Sequence, residues 1–115
     1  MQIEGKGKAL AIHIGESDHW HGKALSTAIV EKAREMGLAG ATVTRGSMGF
    51  GANSRIHTTS IVRLSEDLPV VVTIIDTPER IAAFLPVVHE MVTEGMVSSW
   101  DVDVEIYRHS PREAG

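Results

Sequence analysis

Cysteine is absent from this chain, which removes disulfides, thiolate metal ligands and a cysteine nucleophile together. Aromatic residues are scarce: two Trp, two Phe and one Tyr leave little from which to build a base-stacking platform. There is no excess of positive charge. Eleven Lys and Arg stand against fifteen Asp and Glu, so no overall basic field attracts nucleic acid or an acidic membrane surface, and no nucleic-acid partner is expected. No apolar run approaches the roughly 18 residues of a membrane helix. Met1–Lys6 lacks the apolar segment of a signal peptide, so a cytoplasmic location is expected.

What is present suits one globular domain. At 115 residues, 43% of them hydrophobic and 23% charged, residues 1–115 are expected to form a single unit with a real core over about 8–107. Lys8–Ile14 alternates, with Leu10, Ile12 and Ile14 on one face, and reads as a strand. A polar connection follows. From about Lys23 the spacing of Leu25, Ala28, Ile29, Ala33 and Met36 predicts a helix, closed by Gly37. Ala41–Arg45 is a second strand. Ile61–Leu64 reads as the returning arm of the loop that follows it. Val70–Ile75, apolar on both faces, predicts a central strand covered on both sides.

Asp76-Thr77-Pro78-Glu79 opens a second helix, with Thr77 as cap and Pro78 in the first turn. Its apolar stripe contains Pro86, where a bend or a restart is expected because proline removes a backbone donor. Gly95 stops it. Val102–Tyr107 alternates and, with Asp103 and Glu105 on one face, predicts an edge strand. The tail from His109 to Gly115 is expected to fray. The order is two βαβ halves: an α+β, ferredoxin-like βαββαβ sandwich, with a four-stranded antiparallel sheet and two helices on one face. One sheet face, expected to carry Ala9, Ala11, His13, Val71, Thr73 and Ile75, is then bare. Self-association through it, a closed homo-oligomer, is the simplest cover.

The stretch that carries chemistry lies between the second and third strands. Gly46, Gly49 and Gly51 fall within six residues, flanked by Arg45 and Arg55, with Phe50 and His57 in the same loop of about 46–60. This is neither a Rossmann nor a Walker motif, since strand-like sequence follows and no Gly-Lys-Ser/Thr occurs. Backbone N–H groups of such a loop can form an anion nest, and Arg offers a planar fork of donors for phosphate or carboxylate. Arg45, Gly46, Gly49, Phe50, Gly51, Arg55 and His57 are therefore candidates to bind a small anionic ligand. Earlier in the chain, His19 and His21 have the spacing that turns two rings to one side of an extended segment, with Glu16 or Asp18 as a third metal ligand. Solvated loop histidines explain the same residues, and no metal site or cofactor is assigned. Ser17, Ser47, Ser54, His21 and His57 show no spacing that demands a nucleophile and base, so an enzyme is not expected.

Gly15-Glu16-Ser17-Asp18, Trp20-His21-Gly22-Lys23, Gly37–Val43, Arg45-Gly46, Met48-Gly49-Phe50-Gly51 and Arg55-Ile56-His57-Thr58 together resemble an uncharacterised PII-like family, over about Lys8 to Tyr107. More distantly, Thr42-Val43-Thr44 followed by Gly49-Phe50-Gly51 is similar to the start of the T-loop of PII nitrogen-regulatory proteins. That resemblance implies a trimeric signalling protein with a ligand cleft between subunits beside a flexible loop. It also implies a membrane transporter or channel as partner, with fluoride-type channels the example. It puts Glu16, Trp20 and His21 at the rim of the cleft or in its support, and they join the ligand-binding set. The chain departs from PII in having no tyrosine in the loop and no lysine in Glu94–Asp101, where PII holds phosphates. A nucleotide is therefore one option among small anions. The alternatives are a divalent-metal-binding trimer resembling the cation tolerance proteins, and a small enzyme on the same scaffold.

Overall fold

Cross-strand charge pairs extend the sheet beyond its apolar pattern. In the computed structural model, which describes residues 2–49, 57–58 and 67–109, β1 runs from Gln2 to Gly15. It pairs along its length with the last strand, Met96–Arg108. The expectations of Lys8–Ile14 and Val102–Tyr107 were both too short. The added residues mix polar and apolar, Ile3, Val97 and Trp100 among them, and across the ladder Lys6 pairs with Asp103 at 3.2 Å and Asp101 with Lys8 at 3.0 Å.

In chain order the remaining elements are β2 (His19–Trp20), β3 (Lys23–Ala24), α1 (Leu25–Glu35), β4 (Thr42–Arg45), β5 (Met48–Gly49), β6 (His57–Thr58), β7 (Pro69–Asp76) and α2 (Pro78–Met91). The last strand is β8. The main sheet has the order β4-β7-β1-β8, antiparallel throughout. This is the ferredoxin-like α+β fold, with β8 on an edge as its charges predict.

The helices are capped as their sequences require. Thr77 accepts from the Arg80 N–H at 3.2 Å, with Pro78 in the first turn. At the end of α1, Gly37 and Leu38 donate to the carbonyls of Arg34 and Ala33, a Schellman closure. Met36 lies at this closure and is exposed rather than part of the stripe. Pro86 does not break α2, which is one element from Pro78 to Met91. Pro86 and Ala82 both face solvent, so water can serve the carbonyl that proline leaves without a donor.

The core is a single layer. Leu10, Ile12, Ile14, Val70, Val72 and Ile74 point to the helices and meet Leu25, Ile29, Ile81, Phe84, Val88 and Met91, all buried. The opposite sheet face carries no helix. There the register sets Ala9 beside Ile75 and Trp100, Ala11 beside Thr73 and Ser98, and His13 beside Val71 and Met96. β7 is thus central in order, but within one chain it is covered on one side only. Ile75 is 44%, Trp100 47% and Met96 65% exposed.

One buried charge holds the end of the sheet together. Asp76 is fully buried; its carboxylate accepts from the N–H of Ala39 at 2.8 Å and of Thr77 at 2.6 Å. Arg80 stands 3.9 Å from it and donates to the Gly37 carbonyl, while Tyr107 donates to that of Ala39. Asp76 thereby joins the α1–β4 turn to the start of α2. Asp76→Ala leaves two part-buried donors without their acceptor and is expected to lose about 2–4 kcal/mol in urea denaturation. Asp76→Asn, which keeps one acceptor, should fall between that variant and the parent.

Candidate functional site

Three strand ends meet at the opposite end of the sheet. β7 begins at Pro69 between the last residues of β4 and of β1. Gly46 donates to the Pro69 carbonyl at 2.8 Å and Glu16 to the Leu68 carbonyl at 2.9 Å, so the ladder continues one step past each strand. The first glycine of the loop is required by close approach: a Cβ on Gly46 would lie 2.7 Å from Cγ of Pro69, and one on Gly49 would lie 3.1 Å from it. Beyond this root, β5 pairs with β6, Met48 opposite Thr58 and Gly49 opposite His57, so the two arms leave as a narrow ribbon.

Arg45 and Glu16 meet here as an ion pair. Their meeting follows from register. Arg45 is opposite Val70, itself opposite Ile14, and both of these point to the helix side. Glu16, two residues after Ile14, shares that side by alternation, so both long side chains reach across the start of β7. The Arg45 side chain is 63% exposed and that of Glu16 35%, which keeps the guanidinium open to solvent.

The turn after β1 is stitched by two short carboxylates. Asp18 accepts from the Gly15 N–H at 2.8 Å, and Asp67 from the Ser17 N–H at 2.6 Å. Asp67 sits over Gly15, where a Cβ would collide with it. The polar connection then forms a hairpin of β2 and β3, with left-handed φ at both His21 (47°) and Gly22 (85°) in its two-residue turn. Trp20, partly buried against the core, stacks on His21 with ring centroids 4.2 Å apart.

Of the predicted ligand-binding set, the structure brings together Arg45, Glu16 and Gly46, with Gly49 against the same proline. Trp20 and His21 stand on the hairpin that follows Glu16 and face each other. His57 is placed by its backbone pairing alone. Phe50, Gly51 and Arg55, and the returning arm Ile61–Leu64, lie outside the described residues, as does most of the 46–60 loop. The sequence offers Asp18 only as a third metal ligand, whereas it accepts from the Gly15 N–H, and gives Asp67 and Pro69 no role in the site, although the Gly-Glu-Ser-Asp turn and the Asp-Leu-Pro break flank the two strand ends they join.

The two histidines proposed as a metal pair do not converge. Nδ1 of His19 is 2.5 Å from the Ser17 carbonyl, and His21 is stacked on Trp20. Among the described residues no group of three or more His, Cys, Asp or Glu is placed to hold a metal ion, and no helix is long and apolar enough to cross a membrane.

The βαββαβ order and the one-sided sheet β4-β7-β1-β8 define a ferredoxin-like α+β fold. Residues 7–104 match the DUF190 family, described as "Uncharacterized ACR", and the chain belongs to that family. It is 37% identical over 99 residues to a UPF0166 protein of Aquifex aeolicus, covering 86% of this chain and 93% of that one. It is 32% identical over 100 residues to a UPF0166 protein of Methanocaldococcus jannaschii, covering 86% and 92%. Among solved structures it is similar to CPII of Thiomonas intermedia, solved bound to ADP and bicarbonate, with a TM-score of 0.55 at 17% identity over 90% of this chain and 91% of that one. That likeness is one of fold.

Gly46→Ala forces the Pro69 ring to move and is expected to cost about 1–3 kcal/mol in urea denaturation. Gly40→Ala, with nothing within 4 Å of the added carbon, should stay within about 0.5 kcal/mol of the parent.

Proposed function

We propose that this chain is the subunit of a PII-like regulatory sensor that binds a small anionic ligand at the root of its glycine loop. The observation that carries this reading is Arg45, an accessible guanidinium at the end of β4, next in sequence to Gly46, where the glycine segment leaves the sheet. The planar donor fork of Arg matches a pair of oxygens on a phosphate or carboxylate, and the backbone N–H groups of a glycine segment add fixed donors. Phe50, Gly51, Arg55 and His57 complete the site from the loop, and Glu16, Trp20 and His21 form its rim. The ADP and bicarbonate of the CPII neighbour are both anions, which supports the ligand class.

The subunits close as a trimer over the bare sheet face. Ile75, Trp100 and Met96 give that face its apolar character, and burying them against sister copies removes a patch too large for a solitary chain. A cleft at the seam between copies then lies beside the loop. Ordering the loop on a ligand supplies the switch, because its entropy cost is offset only when the contacts form. The ordered loop presents a surface to a partner, a membrane transporter or channel in this reading. No catalysis is assigned.

ADP at about a hundred times its dissociation constant should stabilise the protein by about 2.7 kcal/mol, a rise of about ten degrees in the thermal midpoint. Arg45→Gln should abolish that rise while leaving the ligand-free midpoint within about five degrees, since exposed ion pairs contribute about 0–1 kcal/mol. No stabilisation by ADP, bicarbonate or phosphate, or an equal one in the variant, contradicts the anion site. In sedimentation at micromolar concentration the protein should run at three times the 12.4 kDa chain mass, and Trp100→Asp should shift it towards monomer. A monomeric parent protein contradicts the assembly.

A further inference from the structure

Arg45 already has an anion. In the free chain its guanidinium is paired with the carboxylate of Glu16. Backbone bonds from Glu16 to Leu68 and from Gly46 to Pro69 fix both main chains on either side of β7. Two other carboxylates of this corner are engaged differently. Asp18 accepts from the Gly15 N–H and Asp67 from the Ser17 N–H, both on backbone donors of the turn after β1. Among these three described carboxylates Glu16 is the one paired with the guanidinium, through Oε2.

We propose that Glu16 is an internal counter-anion that occupies the place of the ligand's oxyanion and must be displaced for the ligand to bind. This rests on the reading that Arg45 receives the ligand. Two anions cannot share the same face of one guanidinium without repulsion, so the carboxylate and the ligand exclude one another. The exposed pair is weak enough to break. Its tether nonetheless supplies the competing carboxylate at an effective concentration of about millimolar or more.

The consequence is selectivity among anions. A monocarboxylate such as acetate offers Arg45 the same chemistry as Glu16, from solution and at lower effective concentration, and gains nothing by exchange. A phosphate-bearing ligand brings more charge and more acceptor oxygens, and wins the site. Glu16 is thus a specificity-determining residue. It keeps the site closed to abundant simple carboxylates and admits polyanions.

The test is calorimetric titration of the full chain with ADP, inorganic phosphate and acetate, comparing the parent protein with Glu16→Gln, Arg45→Gln and the double variant, each checked for folding by circular dichroism. Glu16→Gln should bind ADP and phosphate roughly two- to fivefold more tightly. It should also acquire measurable acetate binding that the parent lacks. Both gains should vanish in the double variant. Glu16→Asp, which keeps the charge but shortens the reach to Arg45, should fall between the parent and Glu16→Gln and serves if the glutamine variant folds poorly. Arg45-dependent ADP binding that is unchanged or weakened in Glu16→Gln overturns the counter-anion and leaves the anion site standing. Absence of Arg45-dependent binding in every variant overturns both.

Discussion

Gly46 donates to Pro69 and Glu16 donates to Leu68, and these two bonds join three strand ends into one corner of the sheet. Without them the glycine ribbon would hinge freely after Arg45, and the turn after Gly15 would have no fixed relation to it. With them, two residues 29 positions apart in the chain become neighbours across the start of β7. Pro69 suits this place: it begins its strand, accepts from Gly46, and its ring packs where only glycine leaves room. The chemistry proposed for the protein starts from this corner.

The second constraint is that the sheet is covered on one face. All of the large buried strand residues of the helix side, from Leu10 to Ile74, fall on alternate positions, and both helices spend their apolar stripes on them. The other face is left with small residues on β1, Ala9 and Ala11, between the longer Ile75, Trp100 and Met96 on its neighbours. Corner and bare face belong to the same four-stranded sheet.

Much of the fold was legible because it is local. The alternation of Leu10, Ile12 and Ile14, the run Val70–Ile75 and the cap Thr77-Pro78 each identify their element from neighbouring residues, and their order leaves few topologies. Where reading from sequence fell short, the deciding partner was distant. The glycines and charges at the start of β1 hide its extension until Lys6 meets Asp103. Asp76 looks like part of a helix start until Ala39 donates to it from 37 residues away. The hairpin of β2 and β3 was hidden because a His-Gly turn is a weaker signal than Asn-Gly. Pro86 suggested a bend because its exposure could not be known. At the site, Arg45, Gly46 and Glu16 stood out by residue type and by resemblance, Asp18 only as a metal ligand, whereas its bond to the Gly15 N–H and the parts of Asp67 and Pro69 involve backbone groups that no side-chain pattern reveals.

The central claim is that an anion is received at the corner where Arg45, Gly46 and Glu16 are joined. Amide hydrogen exchange followed residue by residue, with and without saturating ADP, examines that corner directly. The account predicts slowed exchange at Gly46, Met48 and Gly49 on ligand addition, altered exchange over Glu16–His21, and unchanged protection in the central strands β1 and β7. Exchange that is identical at these amides with and without ligand, or protection confined to the helices, would contradict it.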